Sequence, residues 1–109
     1  MLSDSTISLI RQFTDRRNWD QFHTSGNLAK SISIEAAELL ECYQWSEEAR
    51  DNDIEHVREE LADILIYCVM MADKVGCDLD EIIIDKLAKN ARKYPVEKSY
   101  GNSEKYREL

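Results

Sequence analysis

Two pairs of carboxylates, Glu35 with Glu38 and Glu60 with Asp63, stand three residues apart within two strongly helical segments. A three-residue step is nearly one helical turn, so the members of each pair share a face. With residues 26–45 as one helix and 53–76 as the next, Glu38 lies seven residues before the turn and Glu60 seven after it. Glu35 and Asp63 lie ten before and ten after. In an antiparallel hairpin the pairs are level, roughly 10 to 15 Å from the turn at ~1.5 Å per residue. Four acids then converge on one small volume. Carboxylate oxygens alone suit Mg²⁺, with Mn²⁺ as a possible substitute, and Mg²⁺ retains waters and accepts phosphate oxygens.

A chain with 22 acids among 109 residues produces such spacings by chance, and a solvated acidic face is the ordinary explanation of any one pair. Position relative to the core argues otherwise. Glu35 falls on the apolar line Leu28, Ile32, Leu39, Cys42, where a hydrophobe is expected, and Glu38 follows one turn on. Glu60 and Asp63 each precede a seam residue, Leu61 and Ile64. Interior carboxylates are costly unless paired with cations, and neither stripe carries Lys or Arg. A metal ion fills that gap. Glu41, Glu47, Glu48, Glu55 and Glu59 remain surface acids.

Flat rings and bases accompany the acids. Trp19, Phe22 and His23 occupy a polar loop, Trp45 ends the second helix, and Tyr67 continues the stripe of Glu60 and Asp63. Each ring taken alone serves equally as a loop anchor; together they line a pocket of the kind that stacks a nucleobase. Lys86, Lys89, Asn90, Arg92 and Lys93 make the end of the fourth helix the most basic part of the chain. Those charges favour a helix C-terminus in any case, and they also suit a clamp on phosphate.

The elements that must position these groups are helical. Helical spacing from a Ser3 or Asp4 cap predicts a helix over 4–17, and a second runs from near Asn27 to near Trp45. After the short polar connector from Ser46 to Asn52, Asp51, Asn52 and Asp53 are candidate caps for a third helix. Its Ile54, Val57, Leu61, Ile64, Cys68, Met71 and Val75 alternate by three and four, the seam of a bundle, and Gly76 closes it. A fourth helix starts at Asp78 or Asp80 and stops at Tyr94-Pro95, leaving 96–109 as a polar tail. The expectation is one all-α domain over 1–109, an antiparallel four-helix bundle. Three Gly and one Pro fit few, long elements. A net charge of -8 argues against nucleic acid as a partner. The longest apolar run, Ile64 to Met71, is far short of a membrane span, and a soluble cytoplasmic protein is expected. Cys42, Cys68 and Cys77, odd in number and without Cys-x-x-Cys spacing, read as reduced, mostly buried small hydrophobes.

Glu35-Ala-Ala-Glu38 followed by Glu59-Glu60-Leu61-Ala62-Asp63 resembles the Glu-x-x-Glu and Glu-x-x-Asp signature of the MazG-like all-α nucleoside triphosphate pyrophosphohydrolases. The stretches Arg17 to His23, Asn27-Leu28, Tyr43-Gln44-Trp45, Asp63 to Tyr67, Asn90 to Pro95 and Lys105 to Leu109 extend the likeness toward its dCTP pyrophosphatase branch. The resemblance implies Mg²⁺ on Glu35, Glu38, Glu60 and Asp63, with Glu35 or Glu38 orienting or deprotonating the attacking water. It implies nucleotide contacts from Trp19, Phe22, His23, Trp45 and Tyr67, and phosphate or sugar contacts from Lys86, Asn90 and Lys93. It further implies a homo-oligomer, dimer or tetramer, that cleaves a nucleoside triphosphate, dCTP or another dNTP, to monophosphate and pyrophosphate in nucleotide-pool house-cleaning. Some dCTP-hydrolysing members carry a substrate-contacting His in the first helix where this chain has Ile10. The rival readings are a di-iron bundle, for which Asp53 with His56 is the nearest pair and lies away from the acids, and a noncatalytic helical interaction module.

Overall fold

The computed structural model describes residues 2–49 and 53–103, and among these every regular element is helical. In chain order they are α1 (Asp4–Arg16), a 3₁₀ turn (Asp20–Phe22), α2 (Ser25–Glu41), α3 (Ile54–Val75), α4 (Leu79–Lys93) and α5 (Val96–Ser99). The all-α class is the one the periodicity predicts. The candidate caps Asp51 and Asn52 and the run Lys105 to Leu109 lie outside the described residues.

Local chemistry explains most boundaries. The Ser3, Thr24 and Asp78 side chains accept the backbone N–H groups of Thr6 at 3.2 Å, Asn27 at 3.0 Å and Glu81 at 3.1 Å, capping α1, α2 and α4. Gly76 closes α3 in the left-handed conformation with φ 69°, a region that costs residues bearing a Cβ. The end of α2 departs from expectation. The helix stops at Glu41, and residues 42–45 tighten into a turn in which Tyr43 N–H donates to Leu40 O at 2.9 Å and Gln44 N–H to Glu41 O at 3.3 Å. Cys, Tyr, Trp and Ser are middling helix formers, and no glycine marks the true end. Within the segment read as a polar tail, Val96–Ser99 form the single turn of α5.

The chain divides into two compact units, Leu2–Gly76 and the segment from Cys77 onward. In the first, α2 and α3 run antiparallel: Leu28 near the start of α2 shares a cleft wall with Met70, Glu35 meets Glu60, and Cys42 feels the charge of Asp53. Leu28, Val69, Met70 and Ala72 form the buried core, with Leu28 only 1% exposed. The Arg11 guanidinium donates twice to Asp73, at 3.0 and 2.8 Å, and ties α1 to α3. In the second unit, α4 carries Lys86, Asn90 and Lys93 at helical spacing along one face. Among the described residues no helix is long and apolar enough to cross a membrane.

Candidate functional site

Glu35 and Glu38 project from α2 and Glu60 from α3, and their ligand oxygens all lie within 4.8 Å of one another. Glu60 is buried, at 7% exposure. Glu35 Oε2 and Glu60 Oε2 are shut away from solvent without a hydrogen-bond partner, an arrangement native proteins rarely leave unsatisfied. Contact with Glu60 foremost, then burial, then the neighbouring Glu38, pushes the Glu35 carboxyl up to about 7. Glu60 is held below the usual carboxylate range, first by its contact with Glu35 and further by Glu38 and His56. His56 Nε2 sits 3.1 Å from Glu60 Oε1, one turn back along α3. Crowded oxygen donors, two of them orphaned and one taking up a proton to relieve repulsion, fit a hard divalent cation.

Asp63 stands outside this tight trio, although its charge contributes to the rise of Glu35. Three residues leave a side chain ~60° short of a full turn, and Asp63 lines the neighbouring space. That space is a cavity of about 670 Å³ between α1, α3 and the loop that joins α1 to α2, a size typical of small-molecule sites. Leu9, Ile10 and Phe13 of α1 and Ile66 and Met70 of α3 give it an apolar lining; Trp19, His23 and Tyr67 add rings, and Asp63 supplies the acid. Trp19 packs edge-on to Phe13 with centroids 5.6 Å apart, and the Arg17 guanidinium covers the Phe13 ring at 3.7 Å. These contacts orient the Trp19 ring against Phe13.

Two neighbouring sets therefore form: Glu35, Glu38 and Glu60 as an acidic cluster, and Asp63, Tyr67, Trp19 and His23 around the cavity. Phe22, 62% exposed, and Trp45, 83% exposed, are not among the cavity's lining residues. Phe22 serves the loop through its carbonyl, which accepts from Asn27 Nδ2 at 3.1 Å. Lys86, Asn90 and Lys93 belong to the second compact unit. The family resemblance points to position 10 on α1, and Ile10 does line the cavity; Leu9 and Phe13 beside it show only apolar helical spacing in the sequence. His56, read from sequence as lying away from the acids, instead meets Glu60 from four residues back on the same helix face, and that spacing was the available signal.

The MazG-like family model matches residues 30–109, a span that includes all four acids. The chain belongs to the MazG-like family. Among its relatives, dCTP pyrophosphatase 1 of Rattus norvegicus is 35% identical over 108 residues, covering 93% of this chain and 64% of the relative. The Bos taurus protein of the same name is 35% identical over 118 residues, covering 98% of this chain and 70% of its own length. The chain thus spans about two thirds of the length of these relatives. The crystal structure of a pyrophosphatase from Archaeoglobus fulgidus superposes with a TM-score of 0.74 at 41% identity, covering 84% of this chain and 91% of that one. The all-α MazG-like fold is therefore common to both.

Proposed function

We propose that this MazG-like chain is a Mg²⁺-dependent pyrophosphohydrolase that cleaves a (deoxy)nucleoside triphosphate, dCTP or another dNTP, to the monophosphate and pyrophosphate. The observation that carries this reading is the trio of clustered carboxylates, one buried and two half-buried, with two orphaned oxygens, adjoining through Asp63 a ring-bearing apolar cavity. Similarity to proteins named dCTP pyrophosphatase 1 and to an archaeal pyrophosphatase supports the reaction class. Glu60, Asp63 and Tyr67 follow one another along α3, so the acids and the ring are separated by about 10 Å at ~1.5 Å per residue. That offset favours attack at the α-phosphorus when the base lies by Tyr67 and Trp19, since the two ends of the substrate fix the position of the bond between them.

Glu35, Glu38, Glu60 and Asp63 would hold Mg²⁺ (Mn²⁺ as a substitute), which supplies positive charge to the phosphate oxygens and the pyrophosphate leaving group. Glu35 or Glu38 orients or deprotonates the attacking water. Trp19, Tyr67 and His23 bind the nucleoside, with Phe22 and Trp45 as further contacts on assembly, and Lys86, Asn90 and Lys93 approach phosphate or sugar. We further assign a single functional domain, a cytoplasmic house-cleaning role and a homo-oligomer, dimer or tetramer. Ile34, Leu40 and Leu61, 58%, 68% and 49% exposed on α2 and α3, support such self-association. The test is incubation of the pure protein with each dNTP and NTP plus Mg²⁺, with detection of pyrophosphate. Cleavage of at least one dNTP, lost in Glu38→Gln and Asp63→Asn, is expected; an inactive wild type or fully active variants overturn the reading.

A further inference from the structure

Two ion pairs leave α3 from consecutive residues near its C-terminal end. Asp73 takes Arg11 of α1, while Lys74 reaches the loop before α2: its Nζ lies 2.9 Å from Asp20 Oδ1 and donates to the Asp20 backbone carbonyl at 3.5 Å. That carbonyl also accepts the N–H of His23 at 3.0 Å. One oxygen therefore receives both Lys74 and the bond that sets His23. Asp20 directly follows Trp19, and the loop is entered through Asn18 at φ 52°, a left-handed conformation that Asn, among residues bearing a Cβ, adopts readily. Beneath the loop a cleft of about 180 Å³ is lined by Asp20, Lys74, Arg11 and Asp73, and His23 borders both this cleft and the larger cavity.

We propose that Lys74 is a positioning residue which, by gripping Asp20 at side chain and backbone, holds the Trp19–His23 loop as a wall of the large cavity. Its kinetic consequence rests on the nucleotide reading above; its structural consequence does not. Lys74 touches no part of the acidic cluster's trio, so its loss lowers the fraction of molecules with the wall in place rather than the chemistry of those that have it. Apparent affinity falls in proportion to that fraction, and an ion pair this exposed adds little to global stability.

The experiment has two arms. In dCTP hydrolysis with Mg²⁺, Lys74→Met raises KM about threefold to fivefold with kcat within about twofold. Lys74→Arg restores KM, Asp20→Asn reproduces the rise, and the double variant is no worse than either single one. In a Trp45→Phe background, where Trp19 is the remaining tryptophan, Lys74→Met raises acrylamide quenching of Trp19 by about half or more while the melting temperature moves by less than ~2 °C. An unchanged KM, additive effects of the two single variants, or unchanged quenching overturns the proposal. If the wild type cleaves no triphosphate, the functional reading falls and the quenching contrast alone decides the role of Lys74.

Discussion

At the scale of single residues, the acidic cluster is a place where proton and cation compete. Glu35 is raised from 4.5 to about 7, so between those values the folded state binds the proton more tightly than the unfolded chain. Stability contributed by that proton is present at the acid end of the window and is lost as pH rises through it. Glu60, shifted the other way, contributes a constant amount above its unfolded value and does not tilt this window. Melting in EDTA should therefore show a falling transition temperature between about pH 4.5 and 7, absent in Glu35→Gln and flattened by Mg²⁺; parallel wild-type and variant profiles would contradict this. Glu60→Gln should lower kcat by ~100-fold or more while the protein stays folded, read by pyrophosphate release and circular dichroism. The cluster was legible in sequence because Glu35 interrupts an apolar line, a conflict that a proton or a bound cation relieves. The division between the trio and Asp63 was not, since spacing gives a shared face but not the rotation within it. Trp45 illustrates the same limit: its type suggested stacking, and only the early end of α2 reveals its 83% exposure.

At the scale of elements, α3 holds the site together, and its bounds of Ile54–Val75 were nearly readable as 53–76. An uninterrupted three-four run of apolar residues and a closing glycine mark its bounds, although the face it buries is that of Glu60, Val69, Met70 and Ala72 rather than the run itself, whose Leu61 and Val75 are exposed. A Cβ added at Gly76 meets nothing within 4 Å, so Gly76→Ala isolates the backbone cost of φ 69°. Urea unfolding should give a loss of about 1 kcal/mol. Thr24→Ala removes the cap that starts α2 directly after the Trp19–His23 loop, and should likewise cost ~1 kcal/mol. The end of α2 was harder to read because no Gly or Pro follows it and the carbonyls are satisfied by a tightened turn instead. The 3₁₀ turn at Asp20–Phe22 was invisible for a related reason: a contact 54 residues away, from Lys74, helps to fix it.

At the scale of the whole molecule, a net charge of -8 and a concentrated acidic cluster make divalent cations the natural counterweight. Mg²⁺ should accordingly raise the transition temperature and EDTA should reverse the rise, as expected when a ligand binds the folded state alone. Sedimentation should find a dimer or tetramer, and a charge at one exposed apolar position, as in Leu61→Glu, should shift it toward monomer. The most direct measurement of the central claim is hydrolysis of dCTP with Mg²⁺ in ¹⁸O-enriched water, with mass analysis of the products. Labelled monophosphate and unlabelled pyrophosphate are expected, formed by the wild type and not by Glu60→Gln. Label in pyrophosphate, release of orthophosphate and a diphosphate, or no turnover would contradict it.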